Sequence, residues 1–101
     1  MKLAILLTSG VGSQDARTVR KLTEAAREQG HGVGIFFMDD GVFLLDSMKD
    51  LALGGAELVA CAHNCYEWGV GKVERPEGVL FGGQQDWAEM VQEADRVIVF
   101  G

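Results

Sequence analysis

Short apolar runs separated by longer amphipathic stretches constrain the fold of this chain more than any other feature. The first run, residues 3–8, is apolar at nearly every position and does not alternate with polar residues. A strand of this kind is covered on both faces, which is typical of a parallel sheet flanked by helices. Further runs that predict strands lie at residues 33–38, 57–60, 79–81 and 96–100.

Helical patterns occupy the intervals between these runs. Ser13 is the expected cap of the first helix, Gly30 is its expected left-handed stop, and Asp86 is the expected cap of the last helix. Helices are predicted over residues 14–29, residues 44–52 ahead of Gly54, a short segment that includes residues 66–68, and the stretch after Asp86. The predicted buried stripes are Ala16, Val19, Leu22 and Ala26; Leu44, Leu45, Met48, Leu51 and Ala52; and Trp87, Met90, Val91 and Ala94.

Alternating strands and helices predict an α/β layered domain with a mainly parallel five-stranded sheet, right-handed crossovers and helices on both faces. A length of 101 residues suits one domain over residues 1–101, and a hydrophobic fraction of 48% suffices for a core without disulfide bonds. Residues 72–78 are polar and contain the single proline, Pro76, which predicts an exposed loop.

The charge and the opening segment of the chain exclude some partners. The net charge is −6, and the nine Lys and Arg residues are scattered, which argues against a nucleic-acid partner. The opening apolar run is too short for a signal-peptide core or a membrane span, so no membrane partner is expected. We therefore expect a cytoplasmic protein whose two cysteines are thiols.

In open parallel sheets, ligands bind beyond the carboxyl ends of the strands. The loop at residues 9–13 begins like a dinucleotide fingerprint, but Asp15 replaces the third glycine and no Gly-Lys-Ser/Thr sequence occurs. We therefore expect a tight turn there, with room for a small anion or a substrate tail at the helix start. Gly41 ends a turn at residues 39–41 and is predicted to have a positive φ. The expected ligand-binding residues are Ser9, Gly10, Gly12, Ser13, Asp40 and Gly41.

Two cysteines and a histidine follow the third predicted strand, at Cys61, His63 and Cys65. They supply three metal ligands at most, whereas a structural zinc ion takes four, so no metal and no other cofactor is expected. A thioredoxin-like dithiol has two residues between its cysteines and this chain has three, so reversible disulfide chemistry ranks second. Two buried cysteines that pack as small hydrophobic residues are the remaining alternative.

Cys61 is the expected catalytic residue, because it stands where a strand ends and a helix begins. Backbone N–H groups and the positive end of a helix favour the thiolate, which is the reactive form, and a protonated His63 would add to this effect. A thiolate of this kind holds a sulfane sulfur as a persulfide and passes it on. Cys65 would receive the sulfur, resolve the persulfide as a disulfide, or pack on the inner face of the helix.

The sequence resembles the DsrE/DsrF-like family, which includes TusD-type sulfur-relay subunits and YedF-like C-terminal domains. The resemblance covers nearly the whole chain and depends on the order and spacing of several short segments. These are the strand at residues 3–8, Gly30-His31-Gly32-Val33 leading into Ile35-Phe36-Phe37, Asp40-Gly41-Val42, Cys61 followed by Gly69-Val70, and Ala94-Asp95-Arg96-Val97-Ile98.

The resemblance implies a flavodoxin-like fold, a persulfide on Cys61, and assembly into homotrimers or homohexamers that exchange sulfur with donor and acceptor proteins. The YedF-like branch carries a Cys-Gly-Thr-Cys segment here, from which Cys65 is displaced by one residue. The apolar surface needed for assembly would come from Phe43, Phe81, Trp68 or Trp87. A non-catalytic oligomeric module that binds a small ligand or serves assembly is the alternative function. Whether the protein is an enzyme, as a sulfurtransferase would be, stays open.

Overall fold

The computed structural model describes residues 1–71 and 77–101, so the expected loop around Pro76 lies largely outside the described residues. Within them, five strands form one sheet in the order β4-β3-β2-β1-β5, and every pair of neighbours is parallel. The strands are β1 (Lys2–Leu7), β2 (Gly32–Phe37), β3 (Glu57–Cys61), β4 (Val79–Gly82) and β5 (Arg96–Phe100). The predicted α/β architecture is confirmed, and each strand begins and ends within one residue of its expected position.

The crossovers distribute the helices unequally between the two faces of the sheet. From β1 to β4, each new strand is added beside the preceding one toward the same edge of the sheet. Right-handed crossovers therefore place the helices between these strands on one face. The final connection returns from β4 across the whole sheet to β5 and places its helix on the other side. The helices are α1 (Asp15–Glu28), α2 (Leu45–Met48), α3 (Ala62–Trp68) and α4 (Gln84–Glu93).

The face covered by α1, α2 and α3, termed the first face, contains the larger core. Side chains at equivalent positions of neighbouring parallel strands point to the same face, so the strand register defines rows across the sheet. One row on the first face is buried at its positions on β1 to β4, whereas its position on the edge strand β5 is half-buried. It consists of Ile98, Ile5, Ile35, Leu58 and Val79.

The face covered by α4, termed the second face, is buried only at its centre. Phe36 and Val59 lie beneath α4, with the Phe36 and Trp87 ring centroids 5.9 Å apart. The single helix α4 is about 10 Å wide with its side chains, while five strands span about 19 Å. The two ends of the second-face row that passes through Phe36 and Val59 therefore stay open. These ends are Val99 of β5 and Leu80 of β4, which are 60% and 54% exposed.

The helices depart from the sequence predictions in two places. Residues 44–52 do not form one helix, because α2 is a single turn between 3₁₀ segments at Asp39–Leu44 and Lys49–Ala52. The last helix begins before Asp86, whose carboxylate accepts a hydrogen bond from the Gly83 N–H at 2.8 Å. By contrast, Gly30 has φ +85° after α1, as predicted. No helix among residues 1–71 and 77–101 has the length and apolar character required to cross a bilayer.

Candidate functional site

The carboxyl ends of the strands bring together the loops that the sequence assigns to a ligand site. Thr8 is tied to the end of β5, because its Oγ1 and its backbone N–H both donate to the Phe100 carbonyl, at 3.2 and 2.9 Å. Gly10 lies against Asp40, so that a Cβ added to Gly10 would stand 3.0 Å from the Asp40 Cβ. The loop at residues 9–13 and the turn at residues 39–41 are therefore neighbours.

Local hydrogen bonds already occupy the polar groups of the first loop. The Ser9 hydroxyl donates to the Asp15 carboxylate, and the Asp15 N–H donates to Ser13 Oγ at 3.0 Å. Gly12 has φ +97°, which only glycine adopts without strain, at an exposed position. A carboxylate at the start of α1 disfavours an anion there, so the geometry fits a tight turn better than a site for an anionic ligand.

Gly41 is required for a different reason from the predicted one. The prediction of a positive φ at Gly41 is wrong, since the residue with φ > 0 in this turn is Asp39, at 52°. Gly41 is buried, and a Cβ there would overlap the carbonyl oxygen of Leu7 at the end of β1. Asp39 is held by its N–H, which donates to the Asn64 side-chain oxygen at 2.9 Å and so joins this turn to α3.

Cys61 ends β3 and is the residue before α3, with extended backbone at φ −64° and ψ 111°. Its side chain belongs to the small core of the second face, with Met90, Trp87 and Met38, and the residue is 9% exposed. Its neighbour across β3 and β4 is Gly82, which has no side chain to cover the sulfur. The predicted catalytic thiol therefore lies at the carboxyl edge of the sheet, beneath the start of α4.

A contact between Gln84 and Met38 covers this corner of the second face. The Gln84 Nε2 donates to the Met38 sulfur at 3.0 Å, which joins the first turn of α4 to the end of β2. Met38 follows β2 as Cys61 ends β3, because Phe37 pairs with Ala60. Gln84 is exposed, so the cover is a surface side chain rather than packed core.

Cys65 lies on the opposite side of the sheet from Cys61. It is 2% exposed and belongs to the core of the first face. Burial raises the pKa of the Cys65 thiol above its ordinary value, and the neighbouring Cys61 raises that pKa further. Both cysteines are free thiols. Their placement in different cores does not favour a disulfide between them, although one residue follows the other by a single helical turn.

The open cavity beside α3 is lined by Cys65 and not by Cys61. Its volume is about 770 Å³, and its described lining combines apolar side chains and backbone with the polar groups of Tyr66 and Glu67. The remaining described lining residues are Ala62, Cys65, Gly69, Val70, Gly71 and Phe81. His63 is largely exposed and directed at Glu67, with Nε2 3.7 Å from Oε1. Within the described parts of the chain, no three His, Cys, Asp or Glu side chains are grouped as metal ligands.

Several residues of this edge escaped prediction from the sequence. Asn64, Gln84 and Met38 act through contacts between segments distant in the chain, and no local pattern marks them. Gly82 did carry a signal, because two consecutive glycines precede α4. A side chain at Gly82 would overlap the carboxylate of Asp86, so glycine leaves room for the carboxylate that accepts the Gly83 N–H at the helix start.

The fold and the site together define the class of this protein, which is a parallel α/β domain with a cysteine at the end of its third strand. A sequence model of the DsrE/DsrF-like family matches residues 1–100. The chain therefore belongs to the DsrE/DsrF-like family, as its resemblance predicts.

Known relatives support the fold. The chain is 29% identical to the uncharacterized protein MK0008 of Methanopyrus kandleri, over 88% of this chain and 84% of that protein. The crystal structure of the ychN protein from E. coli superposes with a TM-score of 0.87 at 21% identity, covering 99% of both chains. A conserved protein of unknown function from Bacteroides thetaiotaomicron, BT1422, gives 0.79 at 16% identity, covering 98% of this chain and 94% of that one.

Proposed function

We propose that the protein is a sulfur carrier that holds a persulfide on Cys61 and exchanges the sulfur with donor and acceptor proteins in the cytoplasm. The observation that carries this proposal is the position of Cys61, at the carboxyl edge of the sheet beside Gly82 in a DsrE/DsrF-like chain. The corresponding strand ends are where open parallel sheets bind their ligands.

The transfer needs no metal and no redox partner. The Cys61 thiolate attacks the outer sulfur of a donor persulfide, the S–S bond of the donor breaks, and the donor leaves as a thiolate that takes up a proton. An acceptor thiolate then attacks the outer sulfur on Cys61, and Cys61 leaves as the thiolate. Each step forms one S–S or S–H bond for each bond broken, so the exchange is redox-neutral.

Mass spectrometry after incubation with a sulfane-sulfur donor tests the proposal. Cys61 is expected to gain about 32 Da, the mass of one sulfur atom, and a reductant is expected to remove it. Cys65→Ala should retain the adduct, since Cys65 lies on the first face. The sulfur-carrier role is rejected when Cys61→Ser takes up as much sulfur as the parent chain.

Gln84 and Met38 are in contact at the corner of the second face where Cys61 lies, and we expect this contact to limit access to the thiol. Gln84→Ala removes the amide that bonds to the Met38 sulfur and is expected to raise the alkylation rate of Cys61. Gln85→Ala is the matched control, because Gln85 is the adjacent exposed residue of the same helix. Equal rates in the two variants would show that Gln84 does not restrict the thiol.

A non-catalytic module that binds a small ligand is the second candidate, favoured by the cavity of about 770 Å³ beside α3. Its occupant would be a small molecule with an apolar part, because the described lining combines apolar side chains with the polar groups of Tyr66 and Glu67. The dependence of cysteine alkylation on pH separates the two functions. Slow reaction without an inflection below the free-thiol value of about 8.5 favours the binding module.

We propose that further copies of this chain cover the open part of the second face, in a homotrimer or homohexamer. Parallel sheets are ordinarily covered on both faces, yet Val97 and Val99 of β5 are 44% and 60% exposed. Val99→Lys is expected to shift the sedimentation of the protein to the monomer. Leu53→Lys is the control, since Leu53 is 93% exposed outside β5. An unchanged assembly in Val99→Lys would remove β5 as the contact.

A further inference from the structure

Trp68 at the end of α3 and Phe43 in the 3₁₀ segment before α2 form an exposed pair of stacked aromatic rings. The ring centroids of Phe43 and Trp68 are 5.4 Å apart with 19° between the ring planes, and the residues are 46% and 42% exposed. Of the seven residues of α3, Cys65 alone is buried. A helix that buries so little of itself and presents aromatic rings to solvent is typical of a surface that contacts a partner.

The pair is held in place by contacts within the edge of the sheet. Asn64 lies one helical turn before Trp68, and its side-chain oxygen accepts the Asp39 N–H at 2.9 Å. Asp40 precedes Phe43 by three residues in the 3₁₀ segment, where such residues lie on one side. The rings and the carboxylates of this turn therefore have a fixed arrangement.

Exposed carboxylates lie close to the two rings along the chain. Asp39, Asp40 and Glu67 are exposed, and together with Phe43 and Trp68 they form what we term the acidic–aromatic surface. The ion pairs that Lys and Arg form within the described residues use other carboxylates, those of Glu57, Glu93, Asp50 and Asp46. Glu67 lies beside His63, which carries charge only when it is protonated.

We propose that the acidic–aromatic surface docks a basic segment of another protein, in which Lys or Arg side chains alternate with apolar ones. Cationic side chains pair with the carboxylates and lie favourably against aromatic rings, while an apolar side chain covers the stacked pair. A second copy related by a two-fold axis would place carboxylates against carboxylates. The purpose of docking, delivery of sulfur to Cys61, rests on the proposed function, whereas the binding does not.

Titration calorimetry with a short synthetic peptide of alternating Lys and Leu tests the proposal, with a peptide of alternating Glu and Leu as the control. The Lys peptide is expected to bind and the Glu peptide is not. Trp68→Ala is expected to weaken binding about thirtyfold, as truncation of a central aromatic contact does. Asp39→Asn combined with Asp40→Asn is expected to weaken it about three- to tenfold and to reduce its salt dependence.

The matched control removes two charges elsewhere. Glu24→Gln combined with Glu28→Gln makes the same change in net charge on exposed positions of α1 and is expected to leave binding unchanged. The amide variants keep both rings, so they decide the matter even if Trp68→Ala does not fold. Equal binding of the two peptides, or an equal loss in the α1 control, overturns the proposal.

Two further outcomes separate this inference from its neighbours. Loss of self-association in Trp68→Ala, together with no binding of the Lys peptide, would identify a second copy as the occupant and overturn the proposal. Cys61→Ser is expected to bind the Lys peptide as the parent does. If the parent chain binds the Lys peptide but takes up no sulfur on Cys61, the sulfur-carrier function is rejected and the docking surface is supported.

Discussion

The two faces of the sheet are built from the same strands and differ in how they are closed. On the first face, three helical segments cover a core that includes Ile5, Ile35 and Phe37, all of them fully buried. On the second face, one helix covers Phe36 and Val59 and leaves the outer strands partly bare. The difference teaches that the direction of the crossovers, rather than the composition of the strands, decides which surface remains for partners.

The two cysteines show the same contrast on a smaller scale. Cys65 is held in the closed core of the first face, while Cys61 lies at the corner of the second face under an exposed glutamine. A function that needs a thiol to meet another protein is served by the less closed side. A function that needs a bound small molecule is served by the cavity beside α3.

The largest expected difference in stability is between two leucine-to-alanine substitutions, one on each face of the sheet. Leu58→Ala, at 2% exposure on the first face, is expected to lower the free energy of unfolding by about 4 kcal/mol. Leu80→Ala, at 54% exposure on the second face, is expected to cost less than about 1 kcal/mol. Urea denaturation measures both, and equal losses would show that the second face is closed in solution.

Two glycines sharpen the comparison, because an added methyl group meets the backbone of the sheet at one and a flexible side chain of α4 at the other. At Gly41 it overlaps the Leu7 carbonyl, which belongs to the backbone of β1, and we expect Gly41→Ala to cost about 3 kcal/mol. At Gly34 it meets the terminal methyl group of Met90 at 2.8 Å, which swings aside, so Gly34→Ala should cost less than about 1 kcal/mol. Thermal unfolding of the two variants decides this, and a larger loss at Gly34 would mean that α4 is fixed rigidly to the sheet.

The raised pKa of Cys65 predicts a dependence of stability on pH. The folded chain holds the thiol proton more tightly than the unfolded chain, so this contribution is complete below the free-thiol pKa of about 8.5 and is lost as pH rises through the folded value. The free energy of unfolding is expected to fall above that pH by at most about 1.4 kcal/mol per pH unit.

Comparison of variants assigns this pH dependence to one thiol. Cys65→Ala is expected to remove the part that Cys65 contributes, whereas Cys61→Ala should keep it, because burial of Cys65 is the principal cause of its raised pKa. Denaturation curves at pH values from 7 to about 10 provide the measurement. A parallel decline in the parent chain and in Cys65→Ala would contradict the assignment.

The smallest expected effect is a gain. Thr23 is 1% exposed on the first-face side of α1, and its hydroxyl has no hydrogen-bond partner among the described residues. Thr23→Val replaces that hydroxyl with a methyl group and is expected to raise the free energy of unfolding by up to about 1 kcal/mol. Thr18→Val is the control, since the exposed Thr18 hydroxyl donates to the Gln14 carbonyl at 3.3 Å. No gain at Thr23 would indicate a partner for the buried hydroxyl.

The strands could be predicted because a continuous apolar run marks each of them, including Arg96–Phe100, whose bounds match the prediction at both ends although its second face is exposed. The single helix predicted over residues 44–52 is wrong, since Leu45–Met48 alone is α-helical and 3₁₀ segments lie on either side of it. The apolar stripe indicates which side chains are buried, but it does not distinguish an α-helical turn from a 3₁₀ turn.

The candidate site was predictable only in part. The position of Cys61 at a strand end follows from the apolar run before it, but its place on the second face depends on where β4 and α4 lie. The cavity beside α3 joins Cys65 to Phe81, which the sequence separates by a helix and a loop. The stacking of Phe43 on Trp68 likewise requires the fold, because periodicity alone marks both only as apolar surface.

The return of the chain from β4 to β5 has a consequence for folding. Strands β1 to β4 each pair with the next strand in the sequence, whereas β5 pairs with β1 at the far end of the chain. At the start of that pairing, the Lys2 N–H donates to the carboxylate of Asp95, which is 93 positions away. Closing so long a loop is slow, so β5 is expected to dock last. Amide hydrogens in β5 should then exchange earliest among the strands, and while β5 is detached β1 presents an unpaired edge to other molecules.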